Sequence, residues 1–399
     1  MTTTTLAIPS LDLDPFSDEF LTDPYPGHEQ MREAGPVVYL PRYDTYALAR
    51  YHEVHTALTN WHALHSSSGV GLSNFRYEKP WRPPSLVLEA DPPRHDAPRS
   101  VLAKILGPRA LRRLREQWFA AAENLVDEVL QSPEFDGVAD IAHRFPLQVF
   151  PDALGVSPEG REHLLPYGDF TFNAFGPKNH LVQRGEPDIA EHIAWVGAQC
   201  ARDQLDDNGF GSSIHAAADR GDITAQQAPL LVRSLIAAGV DTTVHGLGAV
   251  LYAFSTHPDQ WAALRRQPQL ARMAFDEAVR LISPVQTFFR TTTADVEISG
   301  SIVPDGKKVL MFLSSANRDP RRWDDPDRFD LGRDPSGHVG FGMGIHQCVG
   351  QHVARLEAEA VLTALVARVE RLEPAGEPVV HLNNTLRGFS SLPLRVRTV

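Results

Sequence analysis

The stretch from Ala228 to Phe254 constrains the fold more than any other. Beyond Pro229 no proline interrupts it, and its helical pattern carries Leu230, Leu231, Leu235, Ile236, Val240 and Val244 around all faces. A surface helix keeps a polar face, so a helix this apolar must cross the interior of a large core. Its middle, Ala238-Gly239-Val240-Asp241-Thr242-Thr243, breaks the pattern. Glycine costs roughly 1 kcal/mol against alanine in a helix interior. A buried Asp-Thr pair is expensive unless hydrogen-bonded or wetted. Either Thr242 bonds back to a carbonyl one turn earlier, or Gly239 makes room for a pocket in which Asp241 and Thr242 relay protons.

The second fixed point is Phe341-Gly342-Met343-Gly344-Ile345-His346-Gln347-Cys348-Val349-Gly350, followed at once by a helix-like run from Gln351. Glycine admits positive φ and lets a flat ligand approach the backbone. A thiolate at a helix start is favoured by the positive end of the helix dipole. The loop therefore suits a cysteine presented to a large planar group. Zinc would need about four ligands, and His346 with Cys348 supplies two. A buried structural cysteine is the plainer alternative.

The rest of the chain bounds the class. It has 399 residues, a net charge of −12 and two cysteines, Cys200 and Cys348. Its acidic balance argues against nucleic acid as the main partner. Two cysteines make no disulfide framework. No uncharged apolar run approaches the roughly 20 residues needed to span a bilayer, and the first fifteen residues do not look like a secretory signal. A cytoplasmic protein is expected, with no membrane partner. No repeat or long linker divides the chain, so one large domain over 1–399 is the simplest partition.

In chain order, residues 1–36 read as a surface wrap. Val37–Leu40 and Tyr46–Arg50 read as a hairpin, and Val54–Leu58 as a short helix. Residues 61–94 are irregular and proline-rich. His95 to Arg115 reads as one basic helix carrying Arg99, Lys104, Arg109, Arg112, Arg113 and Arg115. It is either a solvated face or a docking patch for an acidic electron donor. Residues 166–190, with Tyr167, Phe170, Phe172 and Phe175, read as core or as a lid over an apolar site. Glu277 and Arg280 are spaced to pair on one helix face. Val296–Ser299 and Lys308–Leu313 read as strands, and 378–399 as short strands.

The cysteine loop resembles the haem-binding signature of the cytochromes P450. Phe341, Gly342, Gly344, His346, Cys348 and Gly350 fill its six fixed positions. A chance match in this chain is on the order of one in a million. Ala238–Thr243, Glu277–Arg280, Pro326–Phe329 and Asp91–His95 match the same pattern in order. The resemblance implies a mainly α fold with small β-sheets and a haem b whose iron takes Cys348 as its metal ligand. It implies that His95, Arg99, Arg290 and His346 hold the haem propionates. Glu277, Arg280 and Arg328 would form a structural triad. Asp241 and Thr242 would serve catalysis with O2 as co-substrate, a thiolate ligand favouring O–O cleavage. Electrons would come from a separate iron–sulfur ferredoxin and its NAD(P)H-dependent reductase, to a monomeric enzyme. A peroxide-using variant fits the intact Asp241–Thr242 pair less well.

Further stretches resemble the narrower group of bacterial cytochromes P450 that oxidise para-substituted benzoates such as 4-methoxybenzoate. These are Glu78–Pro93, Phe172–Pro177, Leu230–Thr243, Ser283–Thr293 and Asn383–Gly388. That similarity implies Arg82, Ser85 and Ser234 gripping a substrate carboxylate. It places Val87, Leu88, Phe172, Phe175, Ala238, Val285 and Phe288 around the ring. Ala237 departs from the serine expected there. A buried carboxylate costs several kcal/mol without partners, so such a grip is what an apolar pocket would need. Hydroxylating the methoxy carbon gives a hemiacetal that collapses to 4-hydroxybenzoate and formaldehyde. The alternatives are oxidation of a neutral methoxyphenol or a terpenoid, and a haem-binding sensor or carrier without turnover.

Overall fold

In the computed structural model, which describes residues 6–399, the apolar stretch runs through the core as expected, but as two helices. Gln227–Gly239 and Asp241–Thr256 meet at Val240, whose φ −105° and ψ −66° lie well off ideal helical values. At the break, the Thr242 hydroxyl donates to the Ala238 carbonyl at 2.8 Å and Thr243 to the Gly239 carbonyl at 3.4 Å. Back-bonding of this kind is one recognised cause of a bent helix. Leu247, Val250, Leu251 and Phe254 beyond the break are fully buried. The 227–256 stretch is long and apolar enough to cross a membrane by length and composition, yet it lies mostly inside the protein. Its hydrophobicity is spent on the core.

Helices surround it. Asp96–Ile105, Pro108–Val129, Ala271–Ile282 and the cysteine helix Gln351–Arg368 share one continuous cluster of buried side chains with it. The basic run is not one helix. It ends at Ile105 and restarts at Pro108, because Gly107 breaks the ladder and Pro108 fits a first turn. Residues 6–36 are more than a surface wrap. They form helices Asp18–Thr22 and Tyr25–Ala34, and bury His28 and Met31.

The β structure is small. A five-stranded sheet runs in the order Val38–Leu40, Thr45–Leu48, Lys308–Phe312, Thr287–Thr292, Leu64–His65. The expected hairpin is there, with Val38 opposite Ala47. Val379–Leu382 pairs with Arg387–Ser391, and Pro393–Thr398 joins a separate sheet. The sheet strand Thr287–Thr292 carries Phe288 and Arg290 to the edge of the cavity described next.

Candidate active site

The floor of the site is the cysteine loop. Gly342 and Gly344 sit at φ +66° and +68°, where other residues are strained. A Cβ on Gly344 would also come within 3.0 Å of the Leu58 carbonyl oxygen. The Cys348 amide donates to the Phe341 carbonyl at 2.8 Å and closes the loop. Cys348 lies deep in the protein, and its accessible surface faces an internal cavity. Burial pushes its thiol pKa up. The Gly350 and Gln351 amides and the Arg99 and Arg355 guanidiniums pull the other way. Arg355 lies 4.7 Å over the Phe341 ring and bonds Asp276 at 2.8 Å. A bound metal ion would settle the balance in favour of the thiolate.

The cavity has about 250 Å³ open to the centre of a water molecule. Arg99, Arg290 and His346 line it with Cys348, while His95 stands behind His346, the two rings 4.9 Å apart. Arg290 is 3% exposed, its one hydrogen bond goes to the Phe289 carbonyl, and burial draws its pKa down to about 10. His95 Nε2 is buried without a partner. Arg99 donates to the Gln347 carbonyl. His346 differs. Its Nδ1 meets the Val87 carbonyl at 3.0 Å and its Nε2 meets Asp91 at 3.2 Å, so both nitrogens are engaged with protein. The Arg290 guanidinium and His95 Nε2 are buried donors without an anionic partner, which is what two haem carboxylates would satisfy. The residues fit haem, with Arg290, His95 and Arg99 the ones free to hold it.

All ten side chains read as a substrate pocket line this same cavity: Arg82, Ser85, Val87, Leu88, Phe172, Phe175, Ser234, Ala238, Val285 and Phe288. Phe172 and Phe175 meet edge to face at 5.8 Å, and Phe175 meets Phe288 at 6.0 Å. The Ser85 and Ser234 hydroxyls are 3.2 Å apart. Arg82 is not a free cation. Its Nη1 donates to Glu89 at 2.9 Å, and Glu89 also accepts the Ser85 amide at 2.7 Å. Sequence reasoning missed Glu89 and Arg233. Arg233 lines the cavity beside Ser234 and donates to the Pro83 carbonyl at 2.7 Å, with no carboxylate bonded to it. The available signal was spacing, since Glu89 follows Ser85 by four and Arg233 adjoins Ser234.

On the central helix the pair separates. Thr242 lines the cavity and Asp241 does not. Asp241 Oδ2 packs where a Cβ on Gly168 would lie 1.6 Å away, and it has no hydrogen-bond partner. Burial, then the charge of Asp169, raises its pKa well above the usual carboxylate range. Gly239 serves packing too: a Cβ there would come 2.1 Å from the Phe150 ring. The triad needs a correction. Arg280 donates to Glu277 at 2.7 and 2.9 Å, and both are fully buried. The third side chain is Arg333, whose Nε reaches Glu277 at 3.0 Å. Arg328 contributes only its carbonyl, at 3.0 Å from Arg280 Nη2, and its side chain is exposed. A position in the sequence fixes the backbone of that segment, and the fold decides which arginine turns inward.

The sequence profile of the family described as Cytochrome P450 matches residues 198–397. A relative from Rhodopseudomonas palustris, "Cytochrome p450 CYP199A2", is 56% identical over 390 residues, covering 98% of this chain and 95% of its own. This chain belongs to the cytochrome P450 family. A "Beta-dihydromenaquinone-9 omega-hydroxylase" of Mycobacterium tuberculosis is 31% identical, covering 96% of this chain and 78% of its own. The solved structure of cytochrome P450 CYP109Q5 from Chondromyces apiculatus superposes with a TM-score of 0.82 at 29% identity, over 98% of this chain and all of that one. The mainly helical fold with small sheets, the haem with its axial cysteine thiolate, and O2-dependent monooxygenation follow from membership.

Proposed function

We propose that this P450 oxidises para-substituted benzoates, removing the methyl group of 4-methoxybenzoate to give 4-hydroxybenzoate and formaldehyde. One observation carries the reading. The charged groups of the cavity gather at two places, the haem site around Cys348 and a polar mouth where Arg82 and Arg233 stand with Ser85 and Ser234 and with Glu89 bonded to Arg82. Across the mouth two guanidiniums face one carboxylate, leaving one uncompensated positive charge. A benzoate brings one negative charge. Its carboxylate takes donors from Arg233 and the paired serines, while Phe172, Phe175 and Phe288 hold the ring and exclude water. The para substituent then points away from the mouth toward the cysteine floor.

Haem bound to Cys348 supplies O2 activation and C–H oxidation. The chain supplies orientation from the mouth, and a hydroxyl on the cavity wall at Thr242. Asp241 supplies a proton to Thr242 from behind the helix. The whole chain acts as one monooxygenase domain in the cytoplasm, drawing electrons from a separate ferredoxin and reductase. The placement of the basic run supports this. It begins at Arg99, bonded to the cysteine loop, and continues through exposed Lys104, Arg109 and Arg112 with no carboxylate bonded to them.

A second reading is favoured by the Arg82–Glu89 pair. With Arg82 already neutralised, a neutral methoxyphenol meets less excess charge. A spectral titration decides, because displacing water from iron changes its spin state. The expected result is a full shift with 4-methoxybenzoate and a weak one with 4-methoxyphenol. The reverse order would overturn the benzoate reading.

A further inference from the structure

The face of the central helix turned from the cavity carries a second cluster of titratable groups. Asp241 and His245 are four apart and share that face. Asp169, on the helix Leu164–Asn173 next to Gly168, accepts from His381 Nε2 at 2.7 Å and from Asn383 at 2.7 Å, with Arg184 at 3.5 Å. His381, on the strand Val379–Leu382, stacks on His245 with ring centres 5.2 Å apart. His245 is buried, and a Cβ on Gly388 would come within 2.1 Å of its Nδ1. His143 completes the groups facing the cluster. The burial is graded. The His381 and Asp169 side chains are 26% and 27% exposed, while Asp241 is 5% exposed with an unpartnered oxygen.

We infer that protons reach Asp241 from solvent through the His381–Asp169 pair. The inference rests on reading Asp241 as the proton donor behind Thr242. A buried acid that gives up a proton each turnover must be reloaded. Asp241 is 5% exposed and its Oδ2 has no partner, so it does not exchange with bulk water directly. Asp169 is the charged group whose field acts on Asp241, its neighbour Gly168 packs against Asp241, and the partly exposed His381 is bonded to Asp169. The proton balance closes without electrons. One proton leaves the Asp241 carboxyl toward Thr242, and one from bulk water returns through His381 and Asp169. An imidazole has two ring nitrogens, so His381 can take a proton on one and pass one from the other to the carboxylate it meets at 2.7 Å.

The test uses the resting holoenzyme. Infrared spectroscopy follows the carboxylic C=O band of Asp241, assigned by its loss in Asp241→Asn, as the acid proton exchanges in D2O. In His381→Asn and Asp169→Asn, exchange slows by about a hundredfold, the low end of what a positioned acid–base group contributes. Their absorption spectra and melting temperatures stay near those of the parent. Turnover falls with a raised solvent isotope effect, and neither change adds to that of Asp241→Asn. Unchanged exchange in both variants, with Asp241→Asn impaired, overturns the route and leaves the donor standing. Parent-like turnover in Asp241→Asn overturns the donor and the route together.

Discussion

The two ends of the cavity are built by opposite means. At the floor, backbone does the work: two positive-φ glycines, one amide-to-carbonyl closure and a helix start hold Cys348 with few side-chain contacts. At the mouth, side chains do it: Arg82 holds Glu89, Ser85 meets Ser234, and Arg233 reaches the Pro83 carbonyl, the last two joining segments about 150 residues apart. A backbone-built end tolerates little substitution and reports itself in glycine spacing. A side-chain-built end can be retuned by single changes, which suits the role proposed for it in choosing the substrate.

The largest expected effect breaks the floor. Cys348→Ser removes the thiolate, and product formation falls to background by chromatography while the protein remains folded. Next comes the buried ion-pair frame around Glu277. Glu277→Gln leaves Arg280 uncompensated in the core and costs about 3–5 kcal/mol in denaturant unfolding. Within the same frame, Arg333→Ala destabilises measurably, whereas Arg328→Ala stays within about 0.5 kcal/mol of the parent. Equal losses for the two arginines would contradict the corrected triad.

The mouth gives intermediate effects. Arg82→Gln strands the buried Glu89 and lowers the melting temperature. Arg233→Gln leaves melting unchanged and weakens 4-methoxybenzoate by about tenfold to a hundredfold, the cost of one hydrogen bond to a charged group. A neutral 4-methoxyphenyl ligand is unaffected by Arg233→Gln. Acid sharpens the contrast at the floor. Burial pushes the Asp91 carboxyl up, but hydrogen bonds from His346 and the Ser67 and Ser66 amides outweigh it, so its pKa falls below the unfolded value. Its contribution is then full above the unfolded carboxylate range and is lost as pH falls through that range and below. Asp91→Asn flattens that part of the pH–stability curve. The smallest effects lie outside the cavity. Reversing charge at Arg112 slows reduction by the ferredoxin and leaves substrate affinity unchanged, as expected for an exposed steering charge.

The same contrast explains what could be read in advance. Cys348, the glycines and the core helix were legible because backbone geometry and burial leave local signatures. The ten pocket side chains were legible through resemblance, and they share one cavity. What stayed hidden depended on direction. Asp241 and Thr242 are neighbours in sequence, yet adjacent helix positions point about 100° apart, so only one reaches the cavity. Arg333 replaces Arg328 because a turn decides which arginine faces Glu277. Glu89 and Arg233 were invisible as a set, since their relation to Arg82 exists only after the chain folds back. The helix ends at Gly107 and Val240 were missed because an apolar or basic pattern continues straight through them.

In the proposed function the charged mouth fixes one end of the substrate and the other end is oxidised at the floor. Turnover of the three methoxybenzoate isomers with a competent ferredoxin and reductase tests that directly. The expected result is that 4-methoxybenzoate gives 4-hydroxybenzoate and formaldehyde in equal amounts, and that 2-methoxybenzoate is left intact. Comparable demethylation of the 2- and 4-isomers would contradict it.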